Sequence, residues 1–167
     1  TTLMNNTSTA PQLASVITSE ELLKHWQGHR SLTRRVIEAF PEKEFTEFSI
    51  GGMRTASALM EELLHIAGPG IREIATRETI KADFSHAQPK SKTEILKLWD
   101  EATEEINHYW ALIPMERFHE EILAFGMYPG SVWSSIFYFV DNEIHHRAQV
   151  YVYLRALGIE PPAFYER

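Results

Sequence analysis

The chain has 167 residues and a net charge of −7, with 44% hydrophobic and 23% charged residues. That is the size and balance of one folded domain with a substantial core, and the acidic excess excludes the basic footprint of a nucleic-acid binder. With no cysteine and no apolar stretch near the roughly 18 residues a membrane span needs, disulfides, thiolate ligands, a cysteine nucleophile and a membrane location are excluded, and a cytoplasmic setting is expected.

Residues 1–17 are rich in Thr, Ser and Asn, lack the basic start of a signal peptide, and read as a loose tail. Residues 18–167 read as a single domain. Thr18-Ser19-Glu20-Glu21 is a helix start, a capping hydroxyl followed by acidic residues. Leu22, Trp26, His29, Thr33, Val36 and Phe40 then keep helical spacing until Pro41. Arg30, Arg34 and Arg35 on this helix read as a solvated basic face. A glycine-containing connection follows, and a second helix starts near Thr55 or Ser57. Leu59, Leu63, Ile66, Ile71 and Ile74 mark its apolar stripe, with a kink or break expected at Gly68-Pro69-Gly70. Ser91 opens a third helix that runs on Ile95, Trp99, Ala102 and Ile106 to Pro114. Residues 115–129 read as an irregular excursion. A fourth helix spans about Ser131 to Leu157, apolar on nearly all sides, and Gly158 with Pro161-Pro162 ends it. The expected fold is all-α, a four-helix bundle with long, irregular connections.

The chemistry concentrates on the last helix, in Asp141-Asn142-Glu143-Ile144-His145-His146-Arg147-Ala148-Gln149. Asn142 and His146, four apart, share a helix face. His65 lies in an apolar run on the second helix, so His65, His146 and Asn142 are candidates to face one ion; the alternative is a pair of hydrogen-bonded core histidines. Glu62-x-x-His65 and Glu143-x-x-His146 are also half of a carboxylate di-iron pattern, which needs one Glu from each remaining helix. His25 and His29 form a further i, i+4 pair on the first helix, read as a rim pair. His145 pairs by spacing with Asp141, and Arg147 calls for a carboxylate partner. No serine stands in a nucleophile motif, and no phosphate-binding glycine loop is present.

Gly52-Met53-Arg54-Thr55, His65, and the run from Glu143 through His145-His146-Arg147-Ala148-Gln149 to Tyr153-Leu154-Arg155-Ala156-Leu157-Gly158, then Pro161-Pro162, resemble the DinB (damage-inducible) family of DinB/YfiT-like helical bundles. The resemblance covers residues 18–162. It implies a four-helix bundle, often a homodimer, with one divalent metal on three histidines. By that mapping the ligands fall at His65, position 142 and His146, so that Asn142 replaces a family histidine. Zinc or nickel is the ion expected first, held more weakly than by three imidazoles. The resemblance also implies a metal-dependent enzyme, a hydrolase or thiol transferase on a small molecule; from position alone, Glu143 is the nearest candidate acid/base, and Glu62, His145 and Arg147 lie around the ligands. A metal-free bundle that dimerises or binds a small ligand, and a di-iron oxidoreductase, are the alternatives.

Overall fold

The computed structural model describes residues 15–83 and 88–167. The expected tail, residues 1–17, lies outside the described residues up to position 14. Helix α1 covers Ser19–Ala39. It starts on Thr18, whose hydroxyl accepts from the Glu21 amide while the Glu21 carboxylate accepts from the Thr18 amide. Such a reciprocal cap is worth about 1 kcal/mol. The connection that follows contains a short helix, α2, at Glu42–Glu47, which buries Phe45. Helix α3 covers Ala56–Thr76 from an N-cap at Thr55, α4 covers Lys92–Trp110 from Ser91, and α5 covers Val132–Ala156 from Ser131.

Of the kink or break expected at Gly68-Pro69-Gly70, the break does not occur: helix α3 runs on through these residues. The glycines there admit neighbours rather than end the helix: a Cβ on Gly68 would stand 2.6 Å from the Glu105 carboxylate, and one on Gly70 would stand 2.5 Å from the Phe139 ring. The excursion before α5 is ordered into a 3-10 turn at Met115–His119 and an antiparallel hairpin, β1 Glu121–Ala124 with β2 Tyr128–Ser131, which pairs Glu121 with Ser131 and Ala124 with Tyr128. The hairpin is fixed from below by Glu73. Its carboxylate accepts from the amides of Ile80 and Phe125, each at 2.7 Å. That bond holds Phe125 in a left-handed conformation, φ 54°.

The four long helices close a ring in which α1 packs on α4 and α5, and α3 packs on α4 and α5. Helix α5 ends as its sequence implies: Gly158 has φ 75°, its amide donates to the Arg155 carbonyl, and Ile159 donates to Leu154. This double bond is the Schellman arrangement. The core has two apolar parts. One gathers Trp26, Ile71, Ile106, Ile136 and Phe139; the other gathers Val36, Phe45, Leu59, Trp99 and Tyr153. Between them on α1 and α5 lies a buried polar layer of His29, Arg30, Thr33, Glu143 and Arg147. Arg30 is therefore not on a solvated face: it is 1% exposed and lies over the Trp99 ring at 4.2 Å. No helix among the described residues is long and apolar enough to cross a membrane.

Candidate functional site

His146 is buried on the α3-facing side of α5, and both its ring nitrogens are engaged. Nδ1 faces the Gln149 Oε1 at 2.9 Å, one helical turn on. Nε2 faces the Glu62 Oε1 of α3 at 3.0 Å. The second Glu62 oxygen accepts from the Arg54 Nη1. Burial raises the Glu62 carboxyl, but Arg54 and His146 outweigh it and hold the group below the ordinary carboxylate value. Arg54 is itself placed from behind, since the Tyr153 hydroxyl donates to its carbonyl at 2.7 Å. A chain of Arg54, Glu62, His146 and Gln149 thus ties the start of α3 to the middle of α5.

Asn142 stands one turn before His146 and is also buried, and its Nδ2 has no hydrogen-bond partner among the described residues. A buried amide nitrogen without a partner is uncommon in a folded core. Turned about its last bond, the same side chain would offer its oxygen instead.

Next to this group is a cavity of about 610 Å³. Arg54 and Glu62 form its polar edge; Phe125, Tyr128, Tyr138 and Phe139 supply most of its wall, with Ser134 and Ser135 from the first turn of α5. The volume suits one small organic molecule, and an apolar lining with few placed polar groups is the usual character of such sites.

His65 does not belong to this group. It lines a smaller cleft of about 320 Å³ between α3 and α4, with Glu61, Lys90 and Glu105. Its Nε2 lies 3.9 Å from Glu61, whose carboxylate also accepts from Lys90 at 2.9 Å. The structure thus separates His65 from His146 and places Glu62 in the facing position. Three residues along a helix turn a side chain by about 60° of azimuth, enough to change the neighbouring helix it meets. The signal for Glu62 was in the sequence: it falls at helical spacing between Leu59 and Ile66.

Glu143 is placed away from the cavity. It is 1% exposed and accepts from the Thr33 hydroxyl at 2.8 Å, with guanidinium nitrogens of Arg30 and Arg147 each 3.8 Å away. Burial pushes its carboxyl up against the pull of Arg30. It is a member of the buried polar layer, and the acid/base role expected for it has no support in this placement. Arg147 donates to the His29 carbonyl and the Thr33 hydroxyl, at 3.0 and 3.1 Å, so its carboxylate neighbour Glu143 is one partner of several. His145 is exposed and packs edge-on against His146, ring centroids 5.0 Å apart. His25 and His29 do form a pair, Nε2 to Nε2 3.2 Å, with His29 buried and His25 at the surface.

The two Glu-x-x-His pairs do not converge, because Glu62 meets His146, His65 faces the other cleft and Glu143 is enclosed by arginines. Among the described residues no three His, Asp or Glu side chains assemble a metal-binding group. The donor set near His146 is one carboxylate oxygen, one imidazole nitrogen and the Asn142 amide. Two ligands bound to one small divalent ion sit roughly 3 Å apart when each bond is about 2.1 Å, so the 3.0 Å between Glu62 and His146 suits an ion as well as a shared proton. The orphaned Asn142 amide makes a third donor on the same face of α5. Glu62, His146 and Asn142 are therefore the residues that could hold a divalent ion here.

The comparisons with known proteins agree with this architecture. No curated protein sequence matches. Among solved structures, a DinB-like protein from Bacillus cereus superposes with a TM-score of 0.70 at 15% identity, covering 86% of this chain and 95% of its own. A DinB-like protein from Bacillus subtilis gives 0.69 at 20% identity, over 87% and 99% of the two chains. A mycothiol-dependent maleylpyruvate isomerase gives 0.60 at 15% identity over 80% of this chain and 61% of its own, a likeness of fold. The family model for the DinB family matches residues 4–167, and the chain belongs to that family.

Proposed function

We propose that this protein is a metal-assisted enzyme acting on a small, largely apolar molecule, with Glu62, His146 and Asn142 as the residues that hold the ion. The observation that carries the reading is the 3.0 Å approach of Glu62 to His146 at the edge of the aromatic-walled cavity. Two oxygens and one nitrogen favour a harder ion such as Mn²⁺ or Fe²⁺ over the zinc or nickel expected from three histidines. When bound, such an ion polarises a carbonyl or lowers the pKa of a water or thiol.

The remaining chemistry falls to the chain's own groups. Gln149 holds the His146 Nδ1, so Nε2 is the nitrogen left to face Glu62 at the cavity edge. Arg54 fixes one oxygen of Glu62 and leaves the other for His146 or the ion. The aromatic wall gives the bound molecule an apolar surface on which to pack. The nucleophile is taken to come from outside the chain: there is no cysteine, the Ser134 hydroxyl is spent on the Ser131 carbonyl, and Ser135, the other serine of the cavity, has no basic partner among the described residues. A small thiol or water is therefore the co-substrate, in a transfer or hydrolysis. The thiol-dependent activity named for one structural neighbour supports the first of these.

A second reading, a metal-free bundle that binds a small ligand, is favoured by Arg54, which already neutralises Glu62. Calorimetric titration of EDTA-treated protein with Mn²⁺ and Zn²⁺ separates the two. The metal reading expects one ion per chain, weakened roughly 10–100-fold by Glu62→Ala or His146→Ala and unchanged by His65→Ala. Absence of saturable binding overturns it in favour of the second, and binding that depends on His65 and not on His146 overturns the Glu62–His146 site itself.

A further inference from the structure

We infer that the cavity selects molecules with an aromatic body and a compact anionic head, and that Arg54 is the residue that reads the head. The inference names the substrate class of the site proposed above and rests on that site being the functional one.

Arg54 lines the cavity, its side chain is 43% exposed, and only Nη1 of its guanidinium is used, on Glu62. The edge formed by Nε and Nη2 has no partner among the described residues. That edge is the side-on fork that takes a carboxylate or sulfonate through two parallel hydrogen bonds. Glu62 does not compete for a cationic ligand, because one of its oxygens is on Arg54 and the other is on His146. The backbone at Arg54 is fixed, since Tyr153, itself fully buried, donates to the Arg54 carbonyl and the adjacent Thr55 hydroxyl caps α3, and the Nη1 contact with Glu62 holds the guanidinium at the cavity edge. Little ordering is left for a ligand to impose. From the other side, Ser134 and Ser135 bring the first turn of α5 to the wall, where the helix end favours negative charge.

The body of the ligand is set by the remaining wall. Phe125, Tyr128, Tyr138 and Phe139 offer flat faces and edges, and a ring between them is packed on several sides. The net charge of the chain, −7, works against anions in general, so any anion preference measured here has a local origin.

The test uses two probes with one body. 8-Anilinonaphthalene-1-sulfonate carries the anion, and N-phenyl-1-naphthylamine lacks it. Both are titrated by fluorescence into the full chain in EDTA, which makes the result independent of any metal. The expected result is one sulfonate site per chain, about tenfold or more tighter than the neutral probe. Arg54→Gln should bring the two affinities together by weakening only the sulfonate, and Arg54→Lys, which keeps the charge and loses the fork, should fall between. Ser135→Trp, which takes up part of the cavity, should weaken both, with circular dichroism confirming the fold of each variant. Equal affinities in the unmodified chain, an anion preference that survives Arg54→Gln, or binding untouched by Ser135→Trp would each overturn the inference. Failure of the metal titration alone leaves these outcomes unchanged, and the reverse also holds.

Discussion

Acidification should unfold this protein through His29. The residue is 2% exposed, and its Nδ1 faces the Arg147 Nη2 at 2.9 Å. A guanidinium only donates, so Nδ1 accepts and the ring proton sits on Nε2, directed at His25. Burial first, and then the Arg147 charge, bring the His29 pKa from 6.5 to about 3. The folded value lies below the unfolded one, so the unfolded chain takes up the proton first as pH falls through 6.5, and stability is lost on that side. Linkage between those two values gives a loss of about 2 kcal/mol from pH 8 to pH 5, or roughly 4–8 °C in Tm for a chain of this size. His29→Gln keeps an acceptor for Arg147 and does not titrate. Thermal unfolding by circular dichroism across that range should show the unmodified chain losing that much Tm relative to His29→Gln. A difference between the two that stays flat with pH refutes the buried neutral imidazole.

Other consequences are as direct. Glu143→Ala leaves Arg30 and Arg147 buried without their carboxylate, and should cost about 3–5 kcal/mol, or roughly 6–20 °C in Tm, while probe binding in the cavity at permissive temperature is unchanged. Gly70→Ala drives a methyl into the Phe139 ring and should destabilise by about 1–2 kcal/mol after the gain in helix propensity, measured by urea denaturation. Gly68→Ala meets only the movable end of Glu105 and should be near neutral in the same assay. Glu73→Ala releases the Phe125 and Ile80 amides, and hydrogen exchange should rise at these two positions well above its change in α1 or α4. Trp133 and Phe137 lie exposed edge-to-face on α5; if they seat a second copy, sedimentation gives twice the 19.3 kDa chain mass, and Trp133→Glu restores the monomer.

The helix starts were legible because capping is local chemistry. Thr18, Ser91 and Ser131 each hold an amide three residues on, and that pattern needs no knowledge of the rest of the chain. The hairpin was not legible. Its strands are four residues long, and it is held by Glu73, some fifty residues away. The same holds at Gly68-Pro69-Gly70, where local propensity argued for a break. The reason for glycine there is a carboxylate on α4 and a ring on α5. At the site, the buried His146 announced a polar partner, but whether that partner was Glu62 or His65 depended on how α3 is rolled about its axis. Packing of Leu59, Leu63 and Ile66 sets that roll, and spacing on one helix carries no record of it. Arg30 misled for the opposite reason. Beside Arg34 and Arg35 it reads as surface, and only Glu143 on another helix and the Trp99 ring beneath it explain its burial.

The most direct test of the central claim is anomalous diffraction from crystals of this protein soaked in Mn²⁺. The account expects one peak about 2.0–2.2 Å from the Glu62 Oε1 and the His146 Nε2, with the Asn142 amide turned to present its oxygen. A peak on His65 in the α3–α4 cleft, or a Glu62–His146 contact that persists with no peak at saturating Mn²⁺, would contradict it.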